Sequence, residues 1–107
     1  MTDLPIKVVY TTMGQFIAKI QELPGRDIGE PDCALIDCCV WEEKLGFHGH
    51  DEEGNHIEQE HGGFICMRFP NKTVTDERTI VIHSSIVLTI VEPTQALVSE
   101  YLIAIAD

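Results

Sequence analysis

Basic residues are scarce in this chain. Seven lysines and arginines stand against eighteen aspartates and glutamates, which gives a formal net charge of −11 over 107 residues. A surface of this sign repels polyanions at long range, so it excludes nucleic-acid binding by a broad basic face. A local basic or uncharged pore remains compatible with the composition, because seven of the acids are concentrated in residues 42–60.

Long apolar runs are also missing. The longest, residues 86–91, is interrupted by Thr89 and is far shorter than the ~20 residues that a membrane-spanning helix needs. The first residues carry Asp3 where a secretory signal would carry lysine or arginine, and no apolar segment follows before Lys7. We therefore expect a soluble, cytoplasmic protein that has no membrane partner.

Catalytic motifs are absent as well. The chain contains no glycine-rich phosphate loop, no nucleophile elbow and no zinc-protease helix. A cysteine together with His83 could in principle supply a nucleophile and a base, but no spacing in the sequence places such a pair together. The sequence therefore predicts a protein that is not an enzyme and that needs no cofactor.

The four cysteines do not form a convincing disulfide or zinc framework. Cys38 and Cys39 are adjacent, Cys33 lies just upstream and Cys66 is remote, so no Cys-x-x-Cys pair occurs. We expect buried free thiols that behave as small apolar side chains. Simple strand alternation predicts Cys33 and Cys39 on one face and Cys38 on the other.

Strand-forming residues dominate what is present. β-branched and aromatic residues crowd together over residues 6–13, and residues 10–23 are predicted to form a hairpin around Gly14. Residues 24–31 hold two prolines and two glycines and are predicted to be a loop. Further strands are predicted at residues 33–41, 63–69, 79–83 and 86–91, with a kink at Ser84-Ser85, for a total of five or six.

The end of the chain has helical periodicity. Apolar residues recur at the i, i+1, i+4, i+5 and i+8 spacing of one helix face, namely Leu97, Val98, Tyr101, Leu102 and Ile105. Pro93 suits the first turn, so we predict a short helix over residues 93–106. The whole chain is then a single, mainly β domain, and closure into a barrel would remove its open strand edges.

An acidic, histidine-rich segment interrupts this pattern at residues 46–62. It has no periodic apolar residues, and we interpret it as an exposed insertion or the tip of a long hairpin. Its histidines and carboxylates could together bind a transition metal, but they follow no fixed ligand spacing. We predict no metal here, and we keep a metal-binding or structural interaction protein as the alternative function. The histidines concerned are His48, His50, His56 and His61.

Two segments resemble the Sm-like (LSm) proteins. The strand, glycine turn and strand over residues 8–20, followed by the buried strand at residues 33–41, are similar to the first motif of that family. The segment Ile82–Leu88 is similar to the Ile-Arg-Gly turn and last strand of its second motif. The two segments occur in the family's order and cover about half of the chain.

This resemblance implies a fold and a function. It implies a small, strongly bent five-stranded barrel that joins edge to edge in a homo-oligomeric ring and binds single-stranded nucleic acid, RNA being expected before DNA. Carried over to this sequence, Asp32 or Cys33 stands where the family has a base-contacting Asn, His83 stands at its Arg and Ser84 at the following Gly. We therefore expect a divergent member whose nucleic-acid site consists of His83, Ser84, Asp32 and Cys33. Tyr10 or Trp41 could add a face for base stacking.

Overall fold

A mainly antiparallel β-sheet with one C-terminal helix forms the protein. The computed structural model describes residues 4–24, 30–50 and 56–106, with side chains described outside residues 45–62. The described elements are β1 (Ile6–Thr11), β2 (Gly14–Glu22), β3 (Cys33–His50), β4 (His56–Arg68), β5 (Thr79–Ile82), a 3-10 turn (Ser84–Ile86), β6 (Val87–Val91) and α1 (Gln95–Ile105). The prediction of a mainly β chain that ends in a short helix is confirmed.

The strands form an open sheet and not the predicted closed five-stranded barrel. The described sheet has six strands: five pair in the order β4-β3-β2-β1-β6, and β5 pairs with β3 beside this path. β4 pairs with the second half of β3, from Cys39 onward, whereas β5 pairs with the first half, Cys33–Ile36. β4 and β5 therefore pair with different parts of β3, and β6 pairs only with β1 among the described strands.

The β1–β2 hairpin has a two-residue turn. Thr11 is paired with Gly14, and the Thr11 hydroxyl donates to the Gly14 carbonyl at 2.9 Å while it accepts from the Met13 amide at 3.0 Å. Gly14 has φ 143°, a conformation that glycine adopts without steric cost. β1 therefore ends two residues before the predicted Met13, because Thr12 and Met13 form the turn.

The acidic, histidine-rich segment belongs to a long hairpin. β3 continues beyond the predicted Trp41 to His50, and its register with β4 runs to the His50–His56 pair. Of the two interpretations of residues 46–62, the backbone therefore matches the end of a long hairpin. Residues 51–55 lie outside the described part of the chain.

Two apolar clusters lie on opposite faces of the sheet. The helix-side core, against which α1 packs, consists of Val8, Ile17, Cys39, Leu97 and Tyr101. The inner core consists of Val9, Phe16, Ala18, Leu35 and Cys38. Val87 of β6 and Ile80 and Ile82 of β5 all pack against the inner core, so both ends of the sheet curl around it.

A β-bulge in β3 changes which face of the sheet the later side chains of the strand occupy. Ile17 is paired with Cys39 and Lys19 with Ile36, which leaves two residues of β3 opposite one residue of β2. Asp37, one of these two, has φ 51°, in the left-handed region that Asp tolerates better than most residues. Because the extra residue shifts the side-chain alternation by one, Cys33 packs with the inner core and Cys39 with the helix-side core. The prediction that these two cysteines share a face is wrong for this reason.

Asp37 also anchors the helix. Its carbonyl accepts a hydrogen bond of 2.8 Å from the hydroxyl of the fully buried Tyr101, and its carboxylate is 3.0 Å from the Arg78 guanidinium. Arg78 in turn donates to the Ile105 carbonyl at the end of α1 over 2.6 Å. No helix in the described ranges is long and apolar enough to cross a membrane.

Candidate functional site

The two segments that carry the family resemblance meet at a junction between Asp32 and Ser84. The Ser84 amide donates to Asp32 Oδ1 at 2.7 Å, and the Ser84 hydroxyl donates to Asp32 Oδ2 at 2.8 Å. The Asp32 amide donates to the Ile82 carbonyl at 3.1 Å, and its carbonyl accepts from Leu23 at 2.9 Å. The start of β3, the end of β2 and the turn before β6 are thus fixed to one another.

Asp32 is held in its charged form. Its pKa is lowered first by the hydrogen bond from the Ser84 hydroxyl and next by the hydrogen bond from the Ser84 amide. A carboxylate has about four lone-pair positions, and the two bonds from Ser84 use one on each oxygen. Asp32 therefore keeps capacity to accept hydrogen bonds from a ligand.

His83 occupies the junction but faces its own turn. Its Nδ1 atom accepts a hydrogen bond of 3.0 Å from the Ser85 amide, so the imidazole caps the N-terminus of the 3-10 turn. In the neutral ring the proton then resides on Nε2, which is left to donate. His83 neighbours the Asp32 charge but does not border the cleft described next.

A cleft of about 460 Å³ opens beside the junction. Its apolar walls come from β2, the following residues and β6, and they consist of Ile20, Leu23, Pro24, Val87 and Ile90. Its polar lining consists of Glu22, Asp32, Cys33 and Ser84, and none of these lining residues is a lysine or an arginine. Of the four predicted site residues, the structure therefore gathers Asp32, Cys33 and Ser84 at the cleft.

Burial works against ionisation of the thiols. Burial raises the pKa of Cys33, and the nearby charges of Asp32 and Glu22 raise it further. Burial also raises the pKa of Cys38 and Cys39 to about 12. At neutral pH these side chains are protonated, and a thiol in this form is a poor nucleophile and a poor metal ligand.

Tyr10 and Trp41 do not line the cleft with Asp32. Both rings pack against the helix-side core, on the opposite face of the sheet from the inner-core residues that wall the cleft. Together with Phe64 they border a second cavity, of about 230 Å³. No sequence signal identified this cavity, because its three rings come from three different strands and follow no motif.

The possible metal site falls on residues whose side chains are outside the description. The backbone register sets His48 opposite Glu58 and His50 opposite His56. Among the described side chains, no group of three or more histidines, cysteines or acids is placed to hold a metal ion.

Comparison with known proteins places the chain within one family. The family model that matches is described as a family of unknown function (DUF6561), and the match covers residues 5–106. No curated protein matches the sequence.

Proposed function

The chain belongs to the DUF6561 family of unknown function, and from the geometry of the cleft we propose that it is a non-enzymatic binding module. Its subunits join edge to edge in a homo-oligomeric ring, and each cleft accepts an unstacked base of single-stranded nucleic acid. The observation that carries this proposal is the junction of Asp32 with Ser84, two residues 52 positions apart in sequence. It joins the two segments of the chain that resemble the Sm-like motifs.

The lining of the cleft favours a base over a phosphate group. Its apolar walls can contact the faces of an aromatic ring, and Asp32 can accept from an exocyclic amino group, as acidic side chains do with the N4 amino group of cytosine. The charges of Asp32 and Glu22 oppose an incoming phosphate. Affinity must then come from base contacts, which agrees with a chain of net charge −11.

The sheet edges favour assembly into a closed ring. β6 lies at one end of the sheet and exposes Leu88, Ile90 and Val91, whereas β5 exposes Val81 at the other side of the open sheet. Strand edges with apolar exposed side chains tend to pair with another chain. Because the two edges differ, their pairing is head to tail, and such contacts close into rings when the rotation between subunits allows it.

The high pKa values of the thiols support a non-catalytic role. Cys33 is the thiol of the cleft, and its pKa is raised above the ordinary value. A cysteine nucleophile requires the opposite shift, since the thiolate is the reactive form. The pairing of a cysteine with His83 for catalysis therefore gains no support from the site.

The test is a titration of short fluorescent oligonucleotides, oligo(C) against oligo(U), which differ at the amino group that Asp32 would contact. We expect oligo(C) to bind more tightly by about 5- to 100-fold, the discrimination typical of one good base contact. Ser84→Ala should reduce the preference for oligo(C), whereas Ser99→Ala, the same change at an exposed serine of α1, should preserve it. Absence of binding by either oligonucleotide would refute the nucleic-acid part of the proposal.

Salt dependence separates base contacts from phosphate contacts in the same titration. Each phosphate contact on a single strand adds about −0.7 to the slope of log K against log salt concentration. Since none of the described residues that line the cleft is a lysine or an arginine, the slope should be shallower than about −1. A steep slope would show that binding occurs elsewhere, through the few basic residues of the surface.

A further inference from the structure

Three aromatic rings and two carboxylates border the cavity on the helix side of the sheet. Tyr10 of β1, Trp41 of β3 and Phe64 of β4 all present surface to this space of about 230 Å³, and Glu43 and Glu92 line it too. The Tyr10 and Trp41 ring centroids are 6.0 Å apart, and those of Trp41 and Phe64 are 5.9 Å apart. We propose that this cavity, the aromatic cavity, binds an alkylated ammonium group.

The geometry of the rings suits a cation. Tyr10 and Phe64 each stand at 77° to the plane of the Trp41 indole, in edge-to-face contact with it. A cation is attracted to a ring face when it lies within ~6 Å of the ring centroid. All three rings border the cavity, so a cation inside it is adjacent to aromatic surface.

The rings are positioned before any ligand arrives. The Trp41 Nε1 atom donates to the Phe16 carbonyl at 3.3 Å, and the Trp41 carbonyl accepts from the Gln15 side chain at 2.9 Å. Tyr10, Trp41 and Phe64 are only half-buried although they pack against the helix-side core. Their roles in packing and in binding are therefore compatible, because each ring keeps surface in the cavity.

The size of the cavity fits an ammonium group that carries alkyl substituents. A water molecule occupies about 30 Å³ in the liquid, so the space corresponds to roughly eight waters. A nitrogen with four attached carbons fits within it. An alkylated cation also leaves water more readily than a compact ammonium ion, which favours transfer into an apolar aromatic site.

The charges around the cavity act in both directions. Glu43 and Glu92 lie at the lining, and the chain as a whole carries a charge of −11. Two features oppose a cation: Lys7 pairs with the Glu92 carboxylate, and Thr94 marks the positive N-terminal end of α1. The Thr94 hydroxyl accepts from the Leu97 amide at 3.4 Å and so satisfies one exposed donor of that end.

The single tryptophan of the chain provides a direct measurement. Because Trp41 borders the cavity, titration with tetramethylammonium should change its fluorescence in a saturable way. The uncharged alcohol 3,3-dimethyl-1-butanol has a similar alkyl group and should bind more weakly by about 5- to 30-fold, since it lacks the attraction of charge to the rings. Equal binding of the cation and the alcohol would overturn the proposal, as would the absence of any saturable response.

Matched variants locate the site. Tyr10→Leu and Phe64→Leu keep an apolar side chain but remove a ring, and each should weaken binding of tetramethylammonium by about 5- to 30-fold. Phe69→Leu is the control, because Phe69 contacts Phe16 on the inner-core side. If one ring variant fails to fold, the other still decides. Unchanged affinity in a folded ring variant would contradict the assignment.

Two sources of the alkylated ammonium can be separated with the same signal. A short peptide that contains trimethyl-lysine should bind at least about tenfold more tightly than tetramethylammonium if the natural ligand is a modified protein, since added contacts lower the dissociation constant. Equal affinities would assign the cavity to a small quaternary ammonium compound. Either result supports the proposal, and the unmodified lysine peptide should bind more weakly than the trimethylated one.

Discussion

Replacing Tyr101 by phenylalanine removes a single hydroxyl from the interior of the protein. This hydroxyl donates to the Asp37 carbonyl at 2.8 Å, and Tyr101 is fully buried. The ring remains in the substitution, so the helix-side core keeps its volume. The substitution removes the hydrogen bond from the Tyr101 hydroxyl to the Asp37 carbonyl, which links α1 to the bulge of β3.

The expected loss can be worked from this geometry. A hydrogen bond contributes about 0.5–1.5 kcal/mol net, and a buried acceptor left without a donor costs about 1–3 kcal/mol. We therefore expect Tyr101→Phe to lower the free energy of unfolding by about 1–2 kcal/mol. For a domain of this size that loss corresponds to a decrease in Tm of about 4–10 °C.

Thermal and urea denaturation followed by circular dichroism would measure this loss. Tyr10→Phe makes the same chemical change at a hydroxyl that has no hydrogen-bond partner among the described residues, and it should shift Tm by less than about 2 °C. The role assigned to this contact would be refuted if Tyr101→Phe had the same Tm as the native protein, or if both variants lowered Tm equally.

Two further predictions concern the bulge and the thiols. Asp37→Asn keeps a residue that tolerates positive φ but loses the ion pairs with Lys19 and Arg78, so urea denaturation should show that the free energy of unfolding falls by about 1 kcal/mol. Asp37→Ala should lower it by about 1–2 kcal/mol more, because alanine tolerates positive φ poorly. An alanine variant more stable than the asparagine variant would contradict this. For Cys38 and Cys39, folding raises the pKa from 9.0 to about 12. The unfolded chain then loses these protons first, so stability should hold below about pH 9 and fall between pH 9 and 12; a urea midpoint that rises over this range would show that the thiols are not buried in this way.

The strands and the helix were predictable because their signals are local. β-branched clusters located β1, β2 and β6 to within a few residues, and the apolar spacing of Leu97 and Tyr101 located the buried face of α1. The full length of β3 was not predictable from residues 33–41. Its second half carries few apolar residues, and pairing with β4 is what extends it to His50.

The bulge at Asp37 shows why strand alternation failed to order the cysteines. A single residue in the left-handed conformation shifts every later side chain to the other face. The only hint in the sequence is an aspartate within an otherwise apolar segment. Its partners are Lys19 of β2, Arg78 just before β5 and Tyr101 of α1. These residues are far apart in sequence, so the contacts of Asp37 could not be predicted without the fold.

The residues of the candidate site were predictable only in part. The family resemblance singled out Asp32, Cys33 and Ser84, and the structure brings these three residues to one cleft. His83 was assigned a direct role; its Nδ1 atom caps the turn, and the residue does not border the cleft. Tyr10 and Trp41 were considered for base stacking, yet they lie on the other face of the sheet from the cleft. The face that each residue occupies depends on the strand register, which could not be predicted from the sequence.

The solution mass of the protein tests the proposed assembly most directly. The chain has a mass of 12.0 kDa, and light scattering at micromolar concentration should give a mass that is a whole-number multiple of that value, as expected for a closed ring. Leu88→Lys places a charge on the exposed edge of β6, whereas Leu102→Lys places one on the exposed face of α1. The account predicts a multimer for the native protein and for Leu102→Lys, and a monomer for Leu88→Lys. A native protein that scatters as a single chain would contradict the ring.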